Sequence, residues 1–290
     1  AFGLGPMAGV LALMLHTAEP VGSEAFPKYD MHWSIAMQLA ADNLHALNPI
    51  VSEALRKLDP KPLQDLVKRC EVPGVHYIDI NPGYLSARNE DRMAFMVEAV
   101  QEVTQRRLIL DSPNPRLLAK GLAVCREKPI LNALSLEERK IEEILPLAAE
   151  HGTQLVLLLM DERSMVPPTM EGRLAIAAEL RERAVGAGLR EEDLIFDPVL
   201  PNLTWLDGAA QVKEVVRAVR MLSGWSLFPE PVRTMVGLSN LRSGQRHLYP
   251  VSVETSCLTM LAGAGLSMAL VNVLQPELTT AYQVITQFAS

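Results

Sequence analysis

Seven side chains stand at or just after the ends of short apolar runs: Asp79, Asn81, Asp111, Asn114, Asn132, Asp197 and Asn240. Carboxylates offer only acceptors, whereas an Asn amide both donates and accepts. A pocket built from such groups suits a flat, neutral heterocycle presenting several N–H donors. Few cations accompany them, so the set does not suit a phosphate. Taken singly, Asp and Asn at these places are often helix caps or Asx turns, and Asp79 and Asn114 fit that use well. Their recurrence at the ends of successive apolar runs points to one shared site.

Other chemistries find less support. His16, His32, His45, His76, His151 and His247 form no HxH or HExxH spacing, so no metal centre is expected in this chain, although His45 follows the first apolar run and could face the site. Ser112 and Ser239 lie near the same ends, but neither sits in a GxSxG turn. The absence of GxGxxG and P-loop patterns removes the usual dinucleotide and nucleoside-triphosphate readings. Cys70, Cys125 and Cys257 are widely spaced and odd in number, which fits a reducing cytoplasm better than a disulfide framework. Asp161, Glu162 and Arg163 read as a solvated loop.

The elements that position these groups alternate short and long. Strands are predicted at residues 39–41, 75–80, 108–110, 130–131, 154–159, 194–196, 234–237 and 266–272. Amphipathic helices are predicted at 91–106, 115–126, 136–151, 173–187, 209–222 and 276–288. This βα rhythm predicts a closed parallel (β/α)8 TIM barrel, whose C-terminal rim would gather all the strand-end residues at one mouth. Ser135 and Glu138 have the spacing of a capping box, and Ile141, Ile144, Leu145 and Ala148 then share one helix face. Residues 1–36 lack the rhythm and read as an N-terminal extension of uncertain structure, with the barrel occupying residues 37–290.

The chain has 290 residues, 49 % hydrophobic and 21 % charged, enough to bury a sizeable core. Its 34 acidic against 27 basic residues give a net charge of −7 and no basic cluster, so nucleic acid is not an expected partner. The apolar stretch from Leu4 to Leu15 is too short to span a membrane. The uncharged stretch from Thr255 to Gln275 contains Gly263 and Gly265 and reads as helix, glycine turn and buried strand, so no membrane association is expected.

Asp111-Ser-Pro-Asn114, Asn132 before a Ser-started helix, Phe196-Asp197-Pro198 and Gly237-Leu-Ser-Asn240, supported by Asp79-Ile-Asn-Pro-Gly83, resemble the methyltetrahydrofolate:corrinoid/iron-sulfur protein methyltransferase family. The resemblance runs from about Met37 to the C-terminus and implies a pterin-binding barrel of the dihydropteroate-synthase type. It also implies transfer of the N5-methyl group of methyltetrahydrofolate to or from the cobalt of a corrinoid (cobalamin) carried by a partner corrinoid protein, and a homodimer. Matched position by position, it assigns Asp111, Asn132 and Asp197 to the pterin ring, with Asp79 and Asn114 beside them, and places Asn240 near N5 as the catalytic amide.

Two other readings share the pocket: a dihydropteroate-synthase-like enzyme, and a non-catalytic pterin-binding subunit of a corrinoid complex. The synthase family has a Ser-Arg-Lys-like run after the seventh strand, where this chain has Ser239-Asn240-Leu241. Arg242 and Arg246 follow as candidates to hold an anionic folate tail. The first strand ends Ala41-Asp42-Asn43-Leu44-His45 instead of the family's Gly-Glu-Arg-Ile-Asn-like sequence. Ser267 and Asn272 stand where acidic residues are common on the last strand, so no first-loop or eighth-strand contact is carried over.

Overall fold

The computed structural model describes residues 37–224, 227–245 and 247–289. The extension expected at residues 1–36, and Arg246, lie outside the described residues. The strands are β1 (Gln38–His45), β2 (Val75–Asn81), β3 (Arg107–Asp111), β4 (Ile130–Leu134), β5 (Gln154–Leu158), β6 (Leu194–Asp197), β7 (Arg233–Gly237) and β8 (Met268–Val271). They follow one another in sequence order around a closed barrel, every neighbouring pair parallel, with β1 closing on β8 through Leu39 opposite Ala269. This is the predicted (β/α)8 barrel.

Helices fill the crossovers: α1 (Pro49–Lys57), α2 (Pro60–Cys70), α3 (Asp91–Gln101), α4 (Pro115–Leu122), α5 (Glu138–His151), α6 (Met170–Gly186), α7 (Gly208–Ser223), α8 (Ser252–Gly263) and α9 (Pro276–Ala289). The apolar stretch near residue 265 resolves into α8, a turn at Gly265 with φ +97, and β8. No helix among the described residues is long and apolar enough to cross a membrane.

The sequence reading missed α1 and α2. Each begins where an Asn or Asp side chain caps the helix directly before a proline: Asn48 accepts from the Ile50 amide and Asp59 from that of Lys61. The expected capping box does not form. Strand β4 continues to Leu134, and the Leu136 amide bonds across to the Met160 carbonyl, so Ser135 is still in the loop two residues before the cap. Its hydroxyl instead donates to Glu137, which occupies the cap position of α5. The apolar face of that helix is as expected, with Ile141, Ile144, Leu145 and Ala148 buried.

Alternation along each strand splits the buried residues into two groups. One set, including Ile78, Ile80, Leu108, Leu110 and Leu131, packs against the helices. The other consists of Ala40, Tyr77, Ile109, Ile130, Val156, Ile195, Met235, Met268 and Leu270, which form an apolar plug inside the barrel. That plug is the floor on which the polar layer stands.

At the opposite end of the barrel α9 meets the starts of the strands. Tyr282 of α9 donates its hydroxyl to the Met37 carbonyl at 2.9 Å and lies against Gly74, which has φ +90 at the start of β2. A Cβ on Gly74 would collide with the Tyr282 ring. Gly74→Ala is therefore expected to destabilise the fold by about 2 kcal/mol or more, from positive φ and displacement of the ring. Urea unfolding checks this, and ligand binding by the folded fraction is expected to stay unchanged because the mouth is at the other end.

Candidate active site

Two residues beyond the plug, each strand presents its next inward position. There β1, β2, β3, β4 and β6 carry Asp42, Asp79, Asp111, Asn132 and Asp197, while β5 carries Leu158 and β7 carries Gly237. Asp111 and Asn132 are register partners on neighbouring strands. The charge of Asp111 is felt by Asp79 on one side and by Asp197 on the other. The sequence-predicted residues Asp79, Asp111, Asn132 and Asp197 thus meet in one layer at the C-terminal mouth.

Asp111 and Asp197 are each held by a hydrogen bond. The Asn81 amide donates to Asp111 Oδ2 at 2.6 Å, while Asn81 Oδ1 accepts from the Gly83 amide at 2.9 Å. The Asn132 carbonyl accepts from the Ser112 amide at 2.8 Å, and its peptide bond to Ala133 is cis. Asp197 Oδ1 accepts from the Val199 amide at 2.7 Å, and Val199 adopts φ +60. A β-branched residue in the left-handed region stores about 1–3 kcal/mol of strain, and here the strained amide is the one that orients Asp197.

Asn240 comes from the lip. It lies exposed in the 3-10 turn Leu238–Arg242 that follows β7. Gly237 leaves the inward position of β7 without a side chain, and a Cβ there would stand 3.3 Å from Asn240 Nδ2. Asn240 borders an open cleft of about 660 Å³ whose wall includes Met160, Met165, Val199, Trp205 and Asp207. Asn114 is placed differently: its Oδ1 caps α4 by accepting from the Arg116 amide at 3.1 Å.

Burial dominates the electrostatics. Asp79 is 2 % exposed, one of its oxygens has no hydrogen-bond partner, and burial together with the charges of Asp111 and Asp42 holds its pKa well above the ordinary carboxylate range. Asp111 retains some exposed surface, but the protein crowds its carboxyl and raises it to about 6, against the opposing hydrogen bond from Asn81. Asp197 rises to about 7 through burial, with Asp111 adding to the shift and the Val199 amide and Arg173 opposing it. Among the described residues no three His, Cys, Asp or Glu side chains are arranged to hold a metal ion. What the layer can do is accept hydrogen bonds from N–H donors, ionising as it does so.

Sequence reasoning missed several neighbours. Asp42 escaped because β1 was expected to stop at Ala41; its alternation with Ala40 was the available signal. Irregular pairing between Ala41 and Leu44 buries both Asp42 and Asn43, and the Asn43 amide donates to Asn272 Oδ1 at 2.7 Å, tying β1 to β8. Arg242, expected as a loop cation for an anionic tail, is buried instead. It donates to Glu254 at 3.0 Å and to the Tyr249 carbonyl at 2.7 Å, which commits it to the fold.

A raised carboxyl binds its proton more tightly in the folded state than in the unfolded chain. Its stabilising contribution is present below the ordinary carboxylate range and is lost as pH rises toward about 7 for Asp197. Asp197→Asn is therefore expected to be more stable than the wild type at pH 8 by about 2–4 kcal/mol, at about 1.4 kcal/mol per pKa unit. The difference is expected to vanish near pH 4, and thermal melts across that range check it.

Comparison with known proteins agrees with this geometry. The chain is 24 % identical over 211 residues to a methylcorrinoid:tetrahydrofolate methyltransferase of Eubacterium limosum, covering 72 % of this chain and 75 % of that protein. It is 24 % identical over 230 residues to a methionine synthase of Mycobacterium tuberculosis, spanning 76 % of this chain but only 19 % of that much longer protein. Among solved structures, dihydropteroate synthase of Yersinia pestis with a pterine-sulfa conjugate superposes with a TM-score of 0.61 at 18 % identity, covering 87 % of this chain and 94 % of that one. The Stenotrophomonas maltophilia synthase gives 0.64 at 15 %, covering 89 % and 94 %; at such identities the likeness is one of fold. The family model described as "Pterin binding enzyme" matches residues 50–272, most of the barrel, and the chain therefore belongs to the pterin-binding enzymes.

Proposed function

We propose that this protein transfers the methyl group between N5 of methyltetrahydrofolate and the cobalt of a corrinoid held by a partner protein. The observation that carries the reading is the layer of Asp111, Asn132 and Asp197 beside an exposed Asn240. Buried or half-buried acceptors lie within the mouth and one amide stands at its open lip. In this reading Asp111 and Asp197 accept from the ring N–H and amino groups of the pterin, and Asn132 donates and accepts along the same edge. Asn114, whose oxygen caps α4, contributes through its remaining amide, and Asp79 supports the ring from below. The relatedness to a methylcorrinoid:tetrahydrofolate methyltransferase supports the same chemistry.

The leaving group sets the catalytic requirement. Breaking the methyl–N5 bond of a neutral tertiary amine would expel an amide anion, so N5 must gain a proton or a strong hydrogen bond during transfer. The Asn240 side chain donates to N5, or turns and accepts from protonated N5, and so follows the changing charge without being an acid itself. The corrinoid would supply a cobalt centre that accepts or gives up the methyl group. The residues of this chain bind and orient the pterin and leave its methyl-bearing side open to the partner. Ser239-Asn240-Leu241 carries no cation where the synthase family has its Ser-Arg-Lys-like run, which disfavours the diphosphate-releasing synthase reaction.

Mixing the protein with methyltetrahydrofolate and a cobalt(I) corrinoid protein, and following methyl-cobalt absorbance, tests the activity. Pterin binding without transfer would instead support a non-catalytic subunit. Asn240→Ala is expected to slow transfer by about 100-fold while changing pterin affinity only about threefold, because N5 changes charge along the reaction. Equal rates would remove Asn240 from the chemistry. Asn132→Ala is expected to weaken binding by about tenfold or more, the loss of a buried hydrogen bond, in titration calorimetry.

A further inference from the structure

Arg173 on α6 is fully buried and has no ion-pair partner among the described residues. Its guanidinium is spread over three neutral acceptors. Nε donates to the Pro198 carbonyl at 2.8 Å, Nη2 to Gln211 Oε1 at 3.0 Å, and Nη1 to the Thr169 carbonyl at 3.4 Å. Pro198 directly follows Asp197, and the Gln211 amide in turn donates to both carboxylate oxygens of Asp207 at 3.0 Å. One buried cation therefore bridges the backbone beside a mouth carboxylate and the side chain that anchors the cleft wall.

Such a group needs a reason to be there. A charged side chain taken out of water is unfavourable without a carboxylate bonded to it, and burial lowers the Arg173 pKa to about 10. Carboxylates act on it only through space: Glu214 and Asp207 from α7 and the loop before it, and Asp197 from β6. From the other side, Asp197 is influenced by Asp111 on β3 and by Arg173, of which only Arg173 favours its ionised form. Among the described residues Arg173 is the cation that acts on that carboxyl.

We propose that Arg173 is a positioning residue for the pterin pocket: it ties the start of the β6–α7 loop at Pro198 to Gln211 in the first turn of α7 and supplies the positive field that keeps Asp197 able to accept hydrogen bonds. The assignment rests on the pterin reading only for the identity of the ligand. The fork and the field are separable functions, because lysine keeps the charge but not the planar three-way geometry.

The test combines carboxyl NMR titration of Asp197, assigned by its loss in Asp197→Asn, with calorimetric titration of tetrahydrofolate. In Arg173→Met the Asp197 midpoint is expected to rise, with affinity at neutral pH falling about tenfold. In Arg173→Lys the midpoint is expected to stay near that of the wild type while affinity still falls about threefold or more, from the lost fork. A folded Arg173→Met protein with an unchanged midpoint and affinity overturns the proposal. If that variant does not fold, wild-type affinity in Arg173→Lys overturns it. Should the wild type itself fail to bind tetrahydrofolate, the pterin reading falls, and the ligand-free Asp197 titration still decides the role of Arg173.

Discussion

Removing carboxyl groups from water without bonding a cation to them is unfavourable, and the mouth of this barrel does so repeatedly. Asp79, Asp111 and Asp197 stand in one layer, each with its affinity for protons raised chiefly by burial. A layer of this kind is poor at stabilising the empty protein and well prepared for a ligand that brings N–H donors. The folded state tolerates it because the apolar plug beneath and the shell of helices outside supply the burial that holds the barrel together.

Barrel geometry turns this chemistry into a site. Parallel strands in sequence order all end at the same rim, and a period of two sends the residue two positions beyond the plug into the mouth. Asp111 and Asn132 become neighbours through strand register, while Asp197 reaches them from farther around the ring. Gly237 matters for the opposite reason: where the layer lacks a side chain, the 3-10 turn can lay Asn240 over the gap.

Much of this was legible in the sequence because the signals were local and periodic. Short apolar runs alternating with amphipathic stretches identified all the strands, and the polar residues at their ends named the mouth. What escaped depended on small displacements or distant contacts. Reading β1 as ending at Ala41 hid Asp42, although the strand runs on to His45. Asn48-Pro49 and Asp59-Pro60 start helices through a single cap and proline each, and the cap position of α5 belongs to Glu137 rather than Ser135. Arg173 looks like a solvent-facing helix residue in one dimension. Only folding shows it beneath the β6–α7 loop, and only folding turns Arg242 away from solvent and toward Glu254.

On binding a pterin, the mouth carboxyls would exchange protons for its N–H donors. Calorimetric titration of tetrahydrofolate near pH 6.5, repeated in buffers of different ionisation enthalpy, measures that exchange directly. Net proton release on binding is the predicted result, since N–H donors favour the ionised carboxylates. Binding with no net release, or with proton uptake, would contradict it.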